Sequence, residues 1–143
     1  MSVKQISVFL ENKAGRLAEA TQILGDGGIN IRALSVADTA DFGVLRMIVN
    51  NPDKATEVLK GAGFTVSETE VLAAEVPDRS GGLAGVLQIL VKATINVEYV
   101  YCLIEKSGES AIVVLRVENI ENAQDVLRSG GIRLPEPDKI YRL

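Results

Sequence analysis

Two short segments of this 143-residue chain hold groups able to grip a small charged molecule, and they are built alike. The first runs Asn12-Lys13-Ala14-Gly15-Arg16-Leu17 and the second Asp78-Arg79-Ser80-Gly81-Gly82-Leu83. Each joins an alternating apolar run to a segment with helical spacing, so each is a strand-to-helix turn. A helix start presents backbone N–H groups without intrahelical acceptors and the positive end of the helix dipole, which suits an anion such as a carboxylate. The glycines, Gly15 and Gly81 with Gly82 beside the second, let a ligand approach the main chain of Ala14, Arg16, Leu17, Ser80 and Leu83. For a cationic group, Asp78 offers a charge and Asn12, Asn30 and Asn96 offer amide oxygens. Asn12 and Asp78 serve equally as helix caps, and Asn30 and Asn96, singly, read as turn residues. Lys13, Arg16 and Arg79 flank the turns, either to assist an anion or as solvated surface.

The likeness of the two segments is part of a duplication of the whole chain. Gly81 follows Gly15 by 66 positions, and Ile95-Asn96-Val97 follows Ile29-Asn30-Ile31 by the same 66. Farther on, Ala123, Val126-Leu127 and Gly131 follow Ala55, Val58-Leu59 and Gly63 by 68, which places an insertion near Ser107-Gly108. In each half an alternating strand leads into a helix, then two β-branched strands joined by a hairpin, a second helix and a closing strand. In the first half the hairpin is Thr39-Ala40-Asp41-Phe42, and Asn51-Pro52 opens the second helix. The spacing predicts a closing strand from Phe64 to Leu72, a new first strand from Val71 to Val76, and a last strand from Ile132 to about Tyr141.

The order βαββαβ, twice, predicts an α+β fold of two tandem ferredoxin-like modules, residues 1–70 and 71–143. A module of about 70 residues has a thin core and a bare sheet edge, so the expected solution is side-by-side pairing into one eight-stranded antiparallel sheet with helices on one face. Val97, Tyr99, Tyr101 and Leu103 are expected on one strand face with Cys102 on the other.

Composition narrows the chemistry. There is no histidine and no tryptophan, one cysteine, 4% aromatic residues and a net charge of −4. Cys102 lacks a histidine to activate it, and neither a metal site nor a cofactor site is expected. Nucleic acid and membrane are excluded as partners by the negative charge, the scarcity of rings and the lack of a long apolar run. The single cysteine and the missing secretory signal place the expected location in the cytoplasm.

The turn pattern, acidic or amide residue, then glycine, then an apolar residue beginning the helix, together with the Ile-Asn-Ile strand start, resembles the ACT domain. Asn12, Gly15 and Leu17 match in the first copy and Asp78, Gly81 and Leu83 in the second; Asn30 and Asn96 match the amide of the second strand. The proline common before the turn glycine is replaced by Ala14 and Ser80. The resemblance spans essentially the whole chain and implies a non-enzymatic regulatory protein that binds a free amino acid at the interface between its modules. The Asn12 turn would then face Asn96 and Val97, and the Asp78 turn Asn30 and Ile31. No catalytic domain accompanies the pair, so the target is expected to be a separate metabolic enzyme or regulator, with the chain itself a homodimer. The alternative is a pure protein–protein interaction module without a small ligand. An acylphosphatase on the same fold needs a phosphate-cradling loop that Arg16 alone does not supply.

Overall fold

The computed structural model describes residues 2–38, 41–104 and 110–142. The tip of the first hairpin at Thr39-Ala40 and the expected insertion near Ser107-Gly108 lie outside them. The elements are β1 (Val3–Glu11), α1 (Arg16–Asp26), β2 (Ile31–Asp38), β3 (Phe42–Val49), α2 (Pro52–Gly61), β4 (Thr65–Pro77), α3 (Gly82–Lys92), β5 (Val97–Cys102), β6 (Ser110–Val117), α4 (Ile120–Ser129) and α5 (Pro137–Arg142). The described strands form a six-stranded antiparallel sheet in the order β2-β3-β1-β4-β6-β5.

Contacts divide the chain into two compact units: Lys4–Thr69 with Tyr141–Leu143, here the N-terminal unit, and Glu70–Ile140 with Met1–Val3, the C-terminal unit. In the N-terminal unit, alternation in β1 turns Ile6, Val8 and Leu10 to one face, where they meet Leu45, Met47 and Val49 of β3. Ala20 and Leu24 of α1 and Ala55 and Leu59 of α2 close over them, with Phe64 and Val66 completing the cluster. The C-terminal unit repeats the arrangement: Leu72, Ala74 and Val76 of β4 with Val113, Leu115 and Val117 of β6, beneath Val86 and Leu90 of α3 and Ala123 and Leu127 of α4.

The capping chemistry also repeats. Asn51 accepts from the Lys54 amide at 3.2 Å and Asn119 from the Asn122 amide at 3.0 Å, each satisfying a first-turn donor of α2 or α4. Pro52 stands at the first position of α2, where its missing N–H costs nothing.

Six described strands replace the eight expected, for two reasons. The closing strand of the first copy and the opening strand of the second are one 13-residue strand, β4. Nothing between Glu68 and Leu72 breaks an extended chain, since no glycine, proline or asparagine falls there. At the C terminus the strand expected from Ile132 to Tyr141 is absent. Residues 132–136 are irregular, with one ladder-like bond from the Glu75 amide to the Arg133 carbonyl at 2.9 Å, and α5 follows. Pro135 cannot donate to a ladder, and Pro137 starts a helix instead.

A third correction concerns side-chain direction. The pairing shifts between Val97 and Tyr99, so Val97 packs on the core cluster beneath the helices while Tyr99 and Tyr101 turn to the other face. Strict alternation through Glu98 puts all of them on one face; one bulged residue reverses it. Tyr101 and Leu103 are buried, and the Tyr99 and Tyr101 rings stack with centroids 6.4 Å apart. The same shift occurs between Ile31 and Ala33, at the equivalent place in the first copy.

Candidate functional site

The two strand-to-helix turns are near copies in geometry as well as in sequence. In the first, the Lys13 amide folds back onto the Glu11 carbonyl at 2.8 Å, and the Glu19 amide to Gly15 carbonyl bond at 2.9 Å opens α1. In the second, Arg79 bonds to Pro77 at 2.8 Å and Gly85 to Gly81 at 2.9 Å. Gly15 and Gly81 are the residues immediately before the helices, at φ 90° and φ 82°, where an L side chain costs about 1–2 kcal/mol. That backbone fixes both glycines whatever binds there.

The N-cap position of each helix is a glycine, which has no side chain to offer as a cap. Asn12 and Asp78 therefore do not occupy the N-cap positions, which belong to Gly15 and Gly81. The consequence is chemical. The amides of Leu17 and Ala18 in α1, and of Leu83 and Ala84 in α3, lie in the first turn without intrahelical acceptors. Leu17 and Leu83 beside them are partly open to solvent, at 42% and 37% exposure. Asn12, Ala14, Asp78 and Ser80 are exposed as well.

The turns differ where the halves differ. Arg16 lies with its guanidinium 4.4 Å from the Phe64 ring centroid and donates to Glu19 at 2.8 Å, while its Nε is buried without a partner among the described residues. Its charge is thus largely answered within the helix, and Lys13 pairs with Glu11 at 3.3 Å. At the equivalent place Gly82 is buried, and a Cβ there would overlap the Pro77 carbonyl oxygen. Only glycine fits the second turn as it is built.

The strand starts lie elsewhere. Asn30 is exposed, its amide donating to Asn50 Oδ1 at 2.9 Å while its carbonyl accepts from the Asn50 amide at 3.1 Å. Asn96 is likewise exposed, and Ile31 and Val97 anchor the strands on their cores. Within the N-terminal unit Glu11 pairs with Phe42 and Ile31 with Val49, so the Asn12 turn and Asn30 sit at opposite ends of β3. Seven residue steps along β3 separate those ends by roughly 23 Å. Pro77 with Ser110 and Val97 with Val117 give the C-terminal unit the same separation. The structure does not bring a turn and the asparagine of its own unit together.

Two features were missed in the sequence. Thr94 takes a left-handed conformation, φ 59°, where the first copy has Gly28 at φ 73°. The offset of 66 could have flagged it, since a β-branched residue stands where the repeat needs glycine. Arg32, in the bulge after Ile31, donates from Nε to the Tyr141 carbonyl at 3.2 Å. No sequence signal pairs residues so distant. Among the described residues no three metal-ligating side chains cluster, and no helix is long and apolar enough to cross a membrane.

Comparison with known proteins bears on the fold and the family. A protein of Bacteroides thetaiotaomicron is 40% identical, with a TM-score of 0.93 over 100% of this chain and 98% of its own. The regulatory subunit of aspartate kinase from Thermus thermophilus, in its ligand-free form, shares the fold at 17% identity and a TM-score of 0.65, covering 90% of this chain and 89% of that one. The corresponding subunit from Thermus flavus gives 17% and 0.64 over 90% of both chains. No curated protein sequence matches. The family described as an ACT domain pair matches residues 1–136, and the chain belongs to it.

Proposed function

We propose that this ACT domain pair is a non-enzymatic regulatory protein of the cytoplasm that binds a free amino acid and signals to a separate enzyme or regulator. The observation that carries the reading is the duplicated glycine-led helix start. At Gly15 and Gly81 the chain keeps a left-handed glycine at the N-cap position, where α2 and α4 have Asn51 and Asn119 with capping side chains. Amides aimed outward from a positive helix end suit an α-carboxylate. The ammonium would meet an asparagine-led strand start, Asn30-Ile31 or Asn96-Val97. Each unit holds its turn and its strand start at opposite ends, so neither unit joins the two by itself. The Arg16 and Gly82 difference makes the two sites unequal in affinity.

The test is thermal unfolding of the chain against each of the twenty amino acids at millimolar concentration. A ligand present at about 100 times its dissociation constant adds about 2.7 kcal/mol, which moves the midpoint by several degrees in a chain of this size. One amino acid, or one related group, should stand clear. Asn12→Ala, Asn30→Ala, Asp78→Ala and Asn96→Ala should then reduce that shift. A flat panel contradicts the reading.

A specific observation favours the second reading, a pure interaction module. Leu34 and Val36 on β2 and Val100 on β5 stand level with core residues of the neighbouring strands, yet remain 41%, 40% and 38% exposed. Edge strands carrying uncovered apolar side chains invite pairing, and a homodimer is the simplest partner arrangement. A scaffold of that kind keeps its partner after the four asparagine and aspartate substitutions; a sensor loses its ligand response.

A further inference from the structure

The C terminus departs from the repeat, and the departure ends at the second strand of the N-terminal unit. In place of a last strand the chain forms α5, whose Ile140 is fully buried. The next residue, Tyr141, belongs to the N-terminal unit and is held there twice. Its hydroxyl oxygen accepts from the Lys4 amide at 2.8 Å, and its carbonyl oxygen accepts from Arg32 Nε at 3.2 Å. Lys4 is the second residue of β1, and Arg32 is the bulged residue of β2. Two contacts from one residue thus span the starts of both strands.

The position of Arg32 gives this arrangement a consequence. It stands two residues after Asn30 and one after Ile31, the strand start assigned above to the ligand. A bulge sets the local bend of its strand, and this one is at a sheet edge, with a neighbouring strand on one side only. Beyond Ile31 packing on the core and the Asn30–Asn50 bonds, the Tyr141 carbonyl is what fixes the Arg32 guanidinium. We infer that α5 is a latch: through Tyr141 it fixes the Arg32 bulge and the preceding Asn30-Ile31, so that docking of the tail and occupancy of that strand start favour each other. This rests on the proposed amino-acid site. Arg32 and Tyr141 are positioning residues, acting through the strand rather than on the ligand. Linkage is reciprocal, so a ligand that tightens the latch is itself weakened by the same factor when the latch is broken.

The tail can be followed without any ligand. Trypsin cuts after Lys139 only when α5 opens, because Ile140 at the cleaved bond is buried. Losing one of the two bonds should open it several-fold more often, about five-fold for a bond of ordinary strength. In the ligand-free 143-residue chain, Tyr141→Phe and Arg32→Ala should each speed loss of residues 140–143, followed by mass spectrometry, while Arg32→Lys, which keeps a donor, should restore much of the protection. Unchanged cleavage in both variants overturns the latch. The second arm repeats the assay with each of the twenty amino acids at millimolar concentration. An amino acid that raises the melting midpoint should slow the Lys139 cut in the wild type, and its own midpoint shift should shrink in Arg32→Ala relative to that variant's baseline. A ligand that stabilises the chain but leaves both quantities untouched overturns the coupling. If no amino acid raises the midpoint, the proposed function fails, while the first arm still decides whether the tail is latched.

Discussion

Gly82→Ala is the sharpest perturbation that the structure offers, because an adjacent glycine position in the same helix supplies its control. At Gly82 an added Cβ would overlap the Pro77 carbonyl oxygen and crowd Val76 Cγ1 at 3.3 Å. The obstacle is backbone, and the same carbonyl receives the Arg79 amide that shapes the turn. Relief therefore requires the turn to move, at a cost of about 1–3 kcal/mol for forced overpacking, or a midpoint lower by roughly 3–10 °C. At Gly85, one turn into α3, an added Cβ meets nothing within 4 Å. There Gly85→Ala should follow helix propensity and stabilise by about 0.5–1 kcal/mol. Urea unfolding of both variants beside the wild type measures the difference, with unchanged m-values confirming that stability rather than compactness has shifted. The same substitution should also abolish any ligand response that depends on the second turn. A Gly82→Ala protein as stable as Gly85→Ala would refute the reasoning, since it would mean that the turn is not held against Pro77.

Other outcomes follow from single residues. Thr94→Gly, which removes a β-branched side chain from a left-handed backbone, should raise stability by about 1 kcal/mol in the same unfolding assay. Asn51→Ala and Asn119→Ala should each cost about 1 kcal/mol, because each deletes a side chain that accepts from a first-turn amide. Arg16→Met keeps an apolar stem over Phe64 while removing a buried, unpartnered Nε, so its urea midpoint should lie close to that of the wild type. Lys4 titrates above its usual 10.5, first through its hydrogen bond to Asp53 at 3.1 Å and then through the Asp53 and Glu68 charges. A raised folded-state value means that this contribution is complete below pH 10.5 and fades as pH rises past it; the fade should be small, salt-sensitive and missing in Lys4→Met, measured by urea midpoints at pH 9 and pH 11.

What could be read in advance was whatever repeats locally. The offset of 66 tied Gly15 to Gly81 and Asn30 to Asn96, and the element order followed from alternation and helical spacing around them. Asn51 was legible as a cap because a cap is a matter of four neighbouring residues. The errors came where local pattern meets a longer constraint. Val97 and Tyr99 lie on opposite faces because one bulged residue intervenes, and an alternating pattern carries no mark of a bulge. The run through Glu68 and Leu72 looked like two strands because the duplication demanded a boundary, whereas the chain itself holds no turn residue there. Analogy with the first copy predicts a strand from Ile132 to Tyr141, whereas Pro135 and Pro137 oppose one. The Arg32–Tyr141 contact joins residues 109 positions apart and leaves no trace in either neighbourhood.

The central claim is that the chain carries amino-acid sites, and equilibrium dialysis against each of the twenty amino acids in labelled form tests it most directly. Retention of one amino acid, or of a chemically related group, with dissociation constants in the millimolar range or below and unequal affinities for two sites, is the predicted result. Uniform failure to retain any of the twenty would contradict the account and leave the chain as a surface for other proteins.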